Sequence, residues 1–173
     1  MGNLEKRFMA IAILATVLFL GWSTVRIIRW YQFDVGCAQY IKRAADANTV
    51  ELAKENLEKA ISFAEKNNLT EGVVSVFFHQ PKNDVGYWYK NLTESYKELE
   101  SIPEDATSLE RTNLLIKLRE TLVDEVDSEI SVTVPDGISI YPHNFMYFWW
   151  GLLSGLAALI FWLILVWFWP EGY

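Results

Sequence analysis

One cysteine, Cys37, and two histidines, His79 and His143, are all the chain offers of the thiol and imidazole groups that bind zinc. A lone cysteine excludes an intrachain disulfide, so no covalent staple holds any part of the fold. Its simplest place is in a core, where a free thiol packs as a small hydrophobe. The histidines lie far apart and no cysteine cluster accompanies them, which argues against a zinc site. Glycine and proline are sparse and never form a phosphate-cradling loop. There is no Gly-x-Ser-x-Gly and no recognisable Ser/His/Asp grouping. No residue stands out as a nucleophile or general base, and the sequence points to no catalytic residue, no metal and no cofactor. Basic charge is scarce too. From Asp34 to Asp136 there are 20 Asp and Glu against 11 Lys and Arg, a balance of −9. That acidity argues against nucleic acid as a partner.

Charge is missing altogether from Phe145 to Trp169, which reads FMYFWWGLLSGLAALIFWLILVWFW. At about 1.5 Å of rise per residue such a helix crosses a hydrocarbon core of roughly 30 Å. Aromatic residues crowd both its ends, as expected of interfacial belts. A second apolar run, Phe8 to Ile28, follows a short basic tail. No small-residue cleavage site follows this run, so it reads as a retained span and not as a removed signal peptide. The Met-Gly start lacks the Ser or Thr that a myristoylation motif wants at the sixth position, which is Lys6.

These runs divide the chain. Residues 1–7 are a basic tail, 8–28 a first transmembrane helix, 29–144 an extramembrane domain, 145–169 a second transmembrane helix and 170–173 a short tail. The fold class expected is a mainly α membrane protein, with two transmembrane helices flanking a helical domain that carries a small β-hairpin. Arg26, Arg29, Trp30, Trp149, Trp150 and Trp169 are placed to anchor the spans at the lipid interface. Lysines and arginines flank the first span on both sides, so charge barely decides orientation. The basic tail favours termini inside and the domain outside, in a plasma membrane of bacterial type.

Inside the middle segment, periodicity predicts four helices. Asp34 to Ala47 extends the first span. Asn48 with Glu51 offers a capping-box-like start for a helix to about Lys66, with Val50, Ala53, Leu57, Ala60, Ile61 and Ala64 on its buried stripe. Asp84 caps a third helix to about Ser101, and Thr107 or Ser108 a fourth to about Val126. Val73 to Phe78 reads as a short strand. Alternation on both sides of Pro135-Asp136-Gly137 predicts a hairpin over 130–140, with Val134 opposite Ile138.

Three features remain as candidate contact sites. Gly151 and Gly155, with Ala158 one turn on, form a small-residue groove suited to close helix–helix packing, within the chain or against another membrane protein or copy. Trp88 and Tyr89 in the third helix are candidates for a partner surface. Asp124, Asp127 and Glu129, in the densest acidic patch, offer a weak cation-binding patch at what is expected to be a helix C-terminus. The order of span, helical domain and span resembles, in layout, the sensor half of bacterial chemoreceptors, which implies ligand sensing through a partner. The reading favoured by the residues is a non-enzymatic, membrane-anchored interaction or assembly subunit whose partners are the bilayer and a membrane protein or second copy. An oligomeric channel or transporter component, or a small-molecule sensor, are the alternatives.

Overall fold

The computed structural model describes residues 2–126 and 129–168. It is mainly helical, with one two-stranded antiparallel sheet. Two units emerge: Met1–Arg29 with His143–Tyr173, and Trp30–Pro142.

The first unit holds most of α1 (Asn3–Phe33) and all of α6 (Asn144–Phe168). Both helices are long and apolar enough to cross a membrane. Within the unit they run antiparallel: Phe8 stacks near Phe161, Thr16 meets Trp162 and Trp22 meets Tyr147. Leucine and isoleucine side chains such as Leu14, Leu153 and Leu159 point outward and stay exposed. An outer surface this apolar suits lipid far better than water.

The second unit begins where α1 ends. A single π-helical turn, Asp34–Ala38, leads into α2 (Gln39–Ala45). The buried residues Phe33, Cys37 and Ile41 are four apart. In a regular helix of about 3.6 residues per turn that row drifts around the axis, and one wider turn swings it back. Gly36 sits in this turn, and a Cβ there would run into the Phe63 ring.

Helix α3 (Val50–Lys66) packs against α2 and against α4 (Val85–Glu100). It starts one residue later than the Asn48 pattern suggests: Thr49 is the cap, accepting from the Leu52 amide at 3.2 Å. Its stripe of Val50, Ala53, Leu57, Ala60 and Ala64 is buried, with Ile61 half-buried. Asp84 caps α4 by accepting from the Tyr87 amide at 2.9 Å. Val85, Trp88, Leu92 and Leu99 face inward.

Helix α5 (Ser108–Leu122) opens with a reciprocal capping box. Thr107 Oγ1 accepts from the Glu110 amide at 3.3 Å, and the Thr107 amide donates to the Glu110 carboxylate at 2.7 Å. The bonds from Thr107 hold the Glu110 carboxyl below the usual carboxylate range. A depressed folded pKa means the charged cap contributes fully above the unfolded carboxylate range and is lost as pH falls through the folded value. Thr107→Ala is expected to cost about 1 kcal/mol near neutral pH, with a smaller difference in acid. Urea denaturation of both proteins at two pH values checks this.

Three expectations are corrected, two of them past α5. The helix ends at Leu122, not Val126, and gives way to β1 (Val123–Val126), paired with β2 (Glu129–Val132). The register sets Val123 against Val132 and Asp124 against Ser131, so the strands that pair are 123–126 and 129–132 and not the two sides of Pro135-Asp136-Gly137. Proline lacks the amide a ladder needs, and Gly137 takes φ 87°, which closes a tight turn. The Ile138 amide donates back to the Pro135 carbonyl at 3.1 Å, and Ile138–Ile140 form a 3-10 turn. Ile138 and Ile140 alternate because both bury, not because they form a strand. Finally, Val73 makes only an isolated bridge with Asp84; the run beyond it is irregular, leaving Phe77 and Phe78 exposed.

Candidate functional site

Two places in the molecule concentrate polar groups that the fold positions deliberately. One is the seam between α1 and α6. The other is a cleft in the second unit.

The seam is built on small residues. A Cβ on Gly151 would lie 2.5 Å from the Trp22 ring, and one on Gly155 would lie 3.1 Å from Phe19. Ala12 and Ala15 of α1 are buried here as well, while Ala158 is half-buried. The groove predicted from Gly151 and Gly155 is thus filled from within the chain. Three indoles then cross it. Trp22 Nε1 donates to the Tyr147 carbonyl at 2.7 Å, Trp150 Nε1 to the Leu18 carbonyl at 3.1 Å, and Trp162 Nε1 to Thr16 Oγ1 at 3.1 Å. Trp150 is therefore a strut between helices, not only an interfacial anchor. Trp149 stays more than a third exposed, and Arg26 lies 5.3 Å from the Trp22 ring centroid, suited to a cation–π contact. Arg29 and Trp30 are exposed, and Trp169 lies outside the described residues.

The hydroxyls within the apolar helices are satisfied locally. Thr16, Ser23, Thr24 and Ser154 each donate to the carbonyl four residues earlier, at 2.8, 3.0, 2.9 and 2.6 Å. No charged side chain lies between Phe8 and Val25 or between Phe145 and Trp169.

In the second unit, the predicted partner surface is corrected. Trp88 is only 6% exposed and belongs to the core, its ring 6.4 Å from that of Phe33. Tyr89 is half-buried, and its hydroxyl donates to Glu65 at 2.7 Å; burial first, then that bond and charge, push its pKa up to about 12. Helix α4 presents Tyr87 outward instead, 65% exposed. One residue's shift around the helix separates the buried Trp88 ring, on the stripe with Val85, Leu92 and Leu99, from the exposed Tyr87 ring.

The acidic patch is also relocated. Asp124 is exposed on β1, in a hairpin and not at a helix C-terminus, so the expected clash with the helix dipole does not arise. Asp127 and the side chain of Glu129 lie outside the described residues. Among the described residues no group of three or more His, Cys, Asp or Glu is placed to hold a metal ion.

Between α4, the end of α5 and the hairpin lies a cleft of about 700 Å³. Trp88, Leu92 and Leu122 form its apolar floor; Tyr87, Asn91 and Asp124 stand among its other lining residues. The Trp88 Nε1–H is sealed in this wall with no acceptor among the described residues. A second, broader depression of about 780 Å³ is lined by Lys42, Arg43 and Lys59, but Lys59 is already paired with Glu55 at 2.7 Å.

Cys37 is fully buried, its thiol directed to the Ala60 carbonyl at 3.7 Å. Burial pushes this thiol up to about 12. Raised in the folded state, it favours folding below the unfolded thiol value and ceases to do so as pH rises through the folded one. A thiol reagent at neutral or mildly alkaline pH is expected to leave Cys37 untouched in the native protein and to label it completely in denaturant.

No protein-family model matches the chain, no curated protein is significantly similar in sequence, and no solved structure is significantly similar in fold.

Proposed function

We propose that the chain is a non-enzymatic, membrane-anchored interaction subunit: α1 and α6 hold it in a bilayer and the acidic helical unit meets a partner protein. The observation that carries this reading is the chemistry of the two apolar helices. They carry no charge from Phe8 to Val25 or from Phe145 to Trp169, their hydroxyls are bonded back to their own backbone, and their small-residue groove is filled by Trp22 and Phe19. Ion paths through lipid are marked by polar or ionisable groups, so these features favour an anchor over an oligomeric channel or transporter component. They also direct association, with a second copy or another membrane protein, away from the Gly151–Gly155 face and toward the water-exposed unit. There Tyr87 and Phe78 are among the large exposed aromatics, a residue type enriched in contact surfaces. The basic tail, with Lys6 and Arg7, supports a cytoplasmic N-terminus and an extracytoplasmic domain in a plasma membrane of bacterial type.

Photo-crosslinking in native membranes tests the reading. Benzoylphenylalanine at Phe78 or Tyr87 is expected to give a discrete protein adduct, and the same group at lipid-facing Leu159 none. Adducts from Leu159 alone, or sustained ion flux through the purified protein in liposomes, would overturn it.

A further inference from the structure

We infer that the cleft between α4 and the β-hairpin binds a small organic cation with an apolar body. This inference rests on the second unit alone and is independent of the membrane reading. A volume of about 700 Å³ falls within the range of small-molecule pockets. Its lining mixes an apolar floor with a few convergent polar groups, the pattern such pockets share.

Charge selects the ligand. Three carboxylates, Asp84, Asp124 and Asp136, line the cleft against one ammonium, Lys82. Two of the three are engaged. Asp84 caps the Tyr87 amide at 2.9 Å, and Asp136 lies 3.8 Å from Lys82 at the exposed rim. Asp124 has no ion-pair partner among the described residues. It lies on β1 opposite Ser131, which also lines the cleft. An ammonium there would meet a carboxylate and hydroxyl acceptors together. The Tyr87 ring, exposed on the same wall, offers a π face to the cation or its apolar body. Trp88 contributes its ring to the apolar floor, against which the ligand's apolar body would pack. An anion would face the three carboxylates, and a neutral molecule would leave Asp124 unused.

The test uses the full chain, ¹⁵N-labelled in maltoside micelles, with the Trp88 indole signal assigned as the one lost in Trp88→Phe. Phenethylammonium is titrated beside phenethyl alcohol and phenylacetate, which keep the ring and change only the charge. The ammonium is expected to move the Trp88 signal saturably at millimolar concentration, and Asp124→Asn to weaken its binding about tenfold. Lys82→Glu, which removes the one cation among the described lining residues and adds a carboxylate, is expected to tighten it, so a folding defect in one variant leaves the other to decide. Equal or tighter binding of the alcohol or the carboxylate would overturn the inference. So would an unmoved Trp88 signal, or affinity unchanged in both variants.

Discussion

Replacing Leu57 with alanine is expected to destabilise the helical unit by about 2–5 kcal/mol, the range for truncating a fully buried leucine. Leu57 is 0% exposed on α3, the helix that contacts both α2 and α4. Its neighbours along the stripe are Ala53, Ala60 and Ala64, all fully buried. Alanines let the helices approach closely but leave no long side chain able to swing into the void, so the cavity persists. Surrounding ion pairs cannot offset the loss. Arg119–Asp46 and Lys117–Glu98 are well formed, at 2.8 and 2.7 Å, yet their side chains are roughly half exposed, where such pairs contribute about 0–1 kcal/mol. Cys37 supplies the readout, being the only cysteine and lying in the same core. Its labelling midpoint on heating is expected to fall by on the order of 10 °C or more in Leu57→Ala. Leu57→Met, which conserves volume, is expected to shift it far less. Equal midpoints in all three proteins would remove Leu57 from the centre of the core.

Gly151→Ile is expected to break the seam between α1 and α6 without changing the mass of the particle in detergent. The new Cβ meets the Trp22 ring at 2.5 to 2.9 Å, too close for any real contact. Trp22 cannot swing aside freely. Its Nε1–H is bound to the Tyr147 carbonyl at 2.7 Å, and its ring stacks on Phe19 at 5.3 Å. Overpacking costs about 1–3 kcal/mol and the lost indole bond about 1 more. Gly155→Ile faces Phe19 at 3.1 Å and is expected to do less harm. Leu153→Ile, on a side chain 61% exposed, is expected to do none. Exchange of the Trp22 indole proton reports the seam, and light scattering reports the mass. A dimer that becomes a monomer in Gly151→Ile would show instead that the groove faces a second copy.

How much of this was legible follows from the physical signals involved. The two apolar helices were plain because uncharged apolar runs of 18 and 25 residues have few other solutions. The stripe of α3 and the caps at Asp84 and Thr107 were legible because helical periodicity and side-chain capping are local. The hairpin was misplaced because Pro135-Asp136-Gly137 is a strong turn signal, and alternation at Ile138 and Ile140 marks burial without marking a strand. Only long-range pairing of Val123 with Val132 decides between the two readings. Helical spacing sets Trp88 on one stripe with Val85, Leu92 and Leu99, and that stripe is buried; its candidacy for a partner surface rested on its residue type alone. The role of Gly151 and Gly155 was open between chain and partner, since a small-residue groove does not name what fills it. Trp22 lies more than a hundred residues away in sequence. The cleft above the Trp88 floor could not be read at all, because its walls come from three elements.

The most direct test of the account is extraction of membranes with alkaline carbonate followed by flotation in a density gradient. With α1 and α6 embedded in lipid, the chain is expected to rise with the vesicles and to enter solution only when detergent is added. Recovery of the protein in the carbonate supernatant would contradict the account at its root.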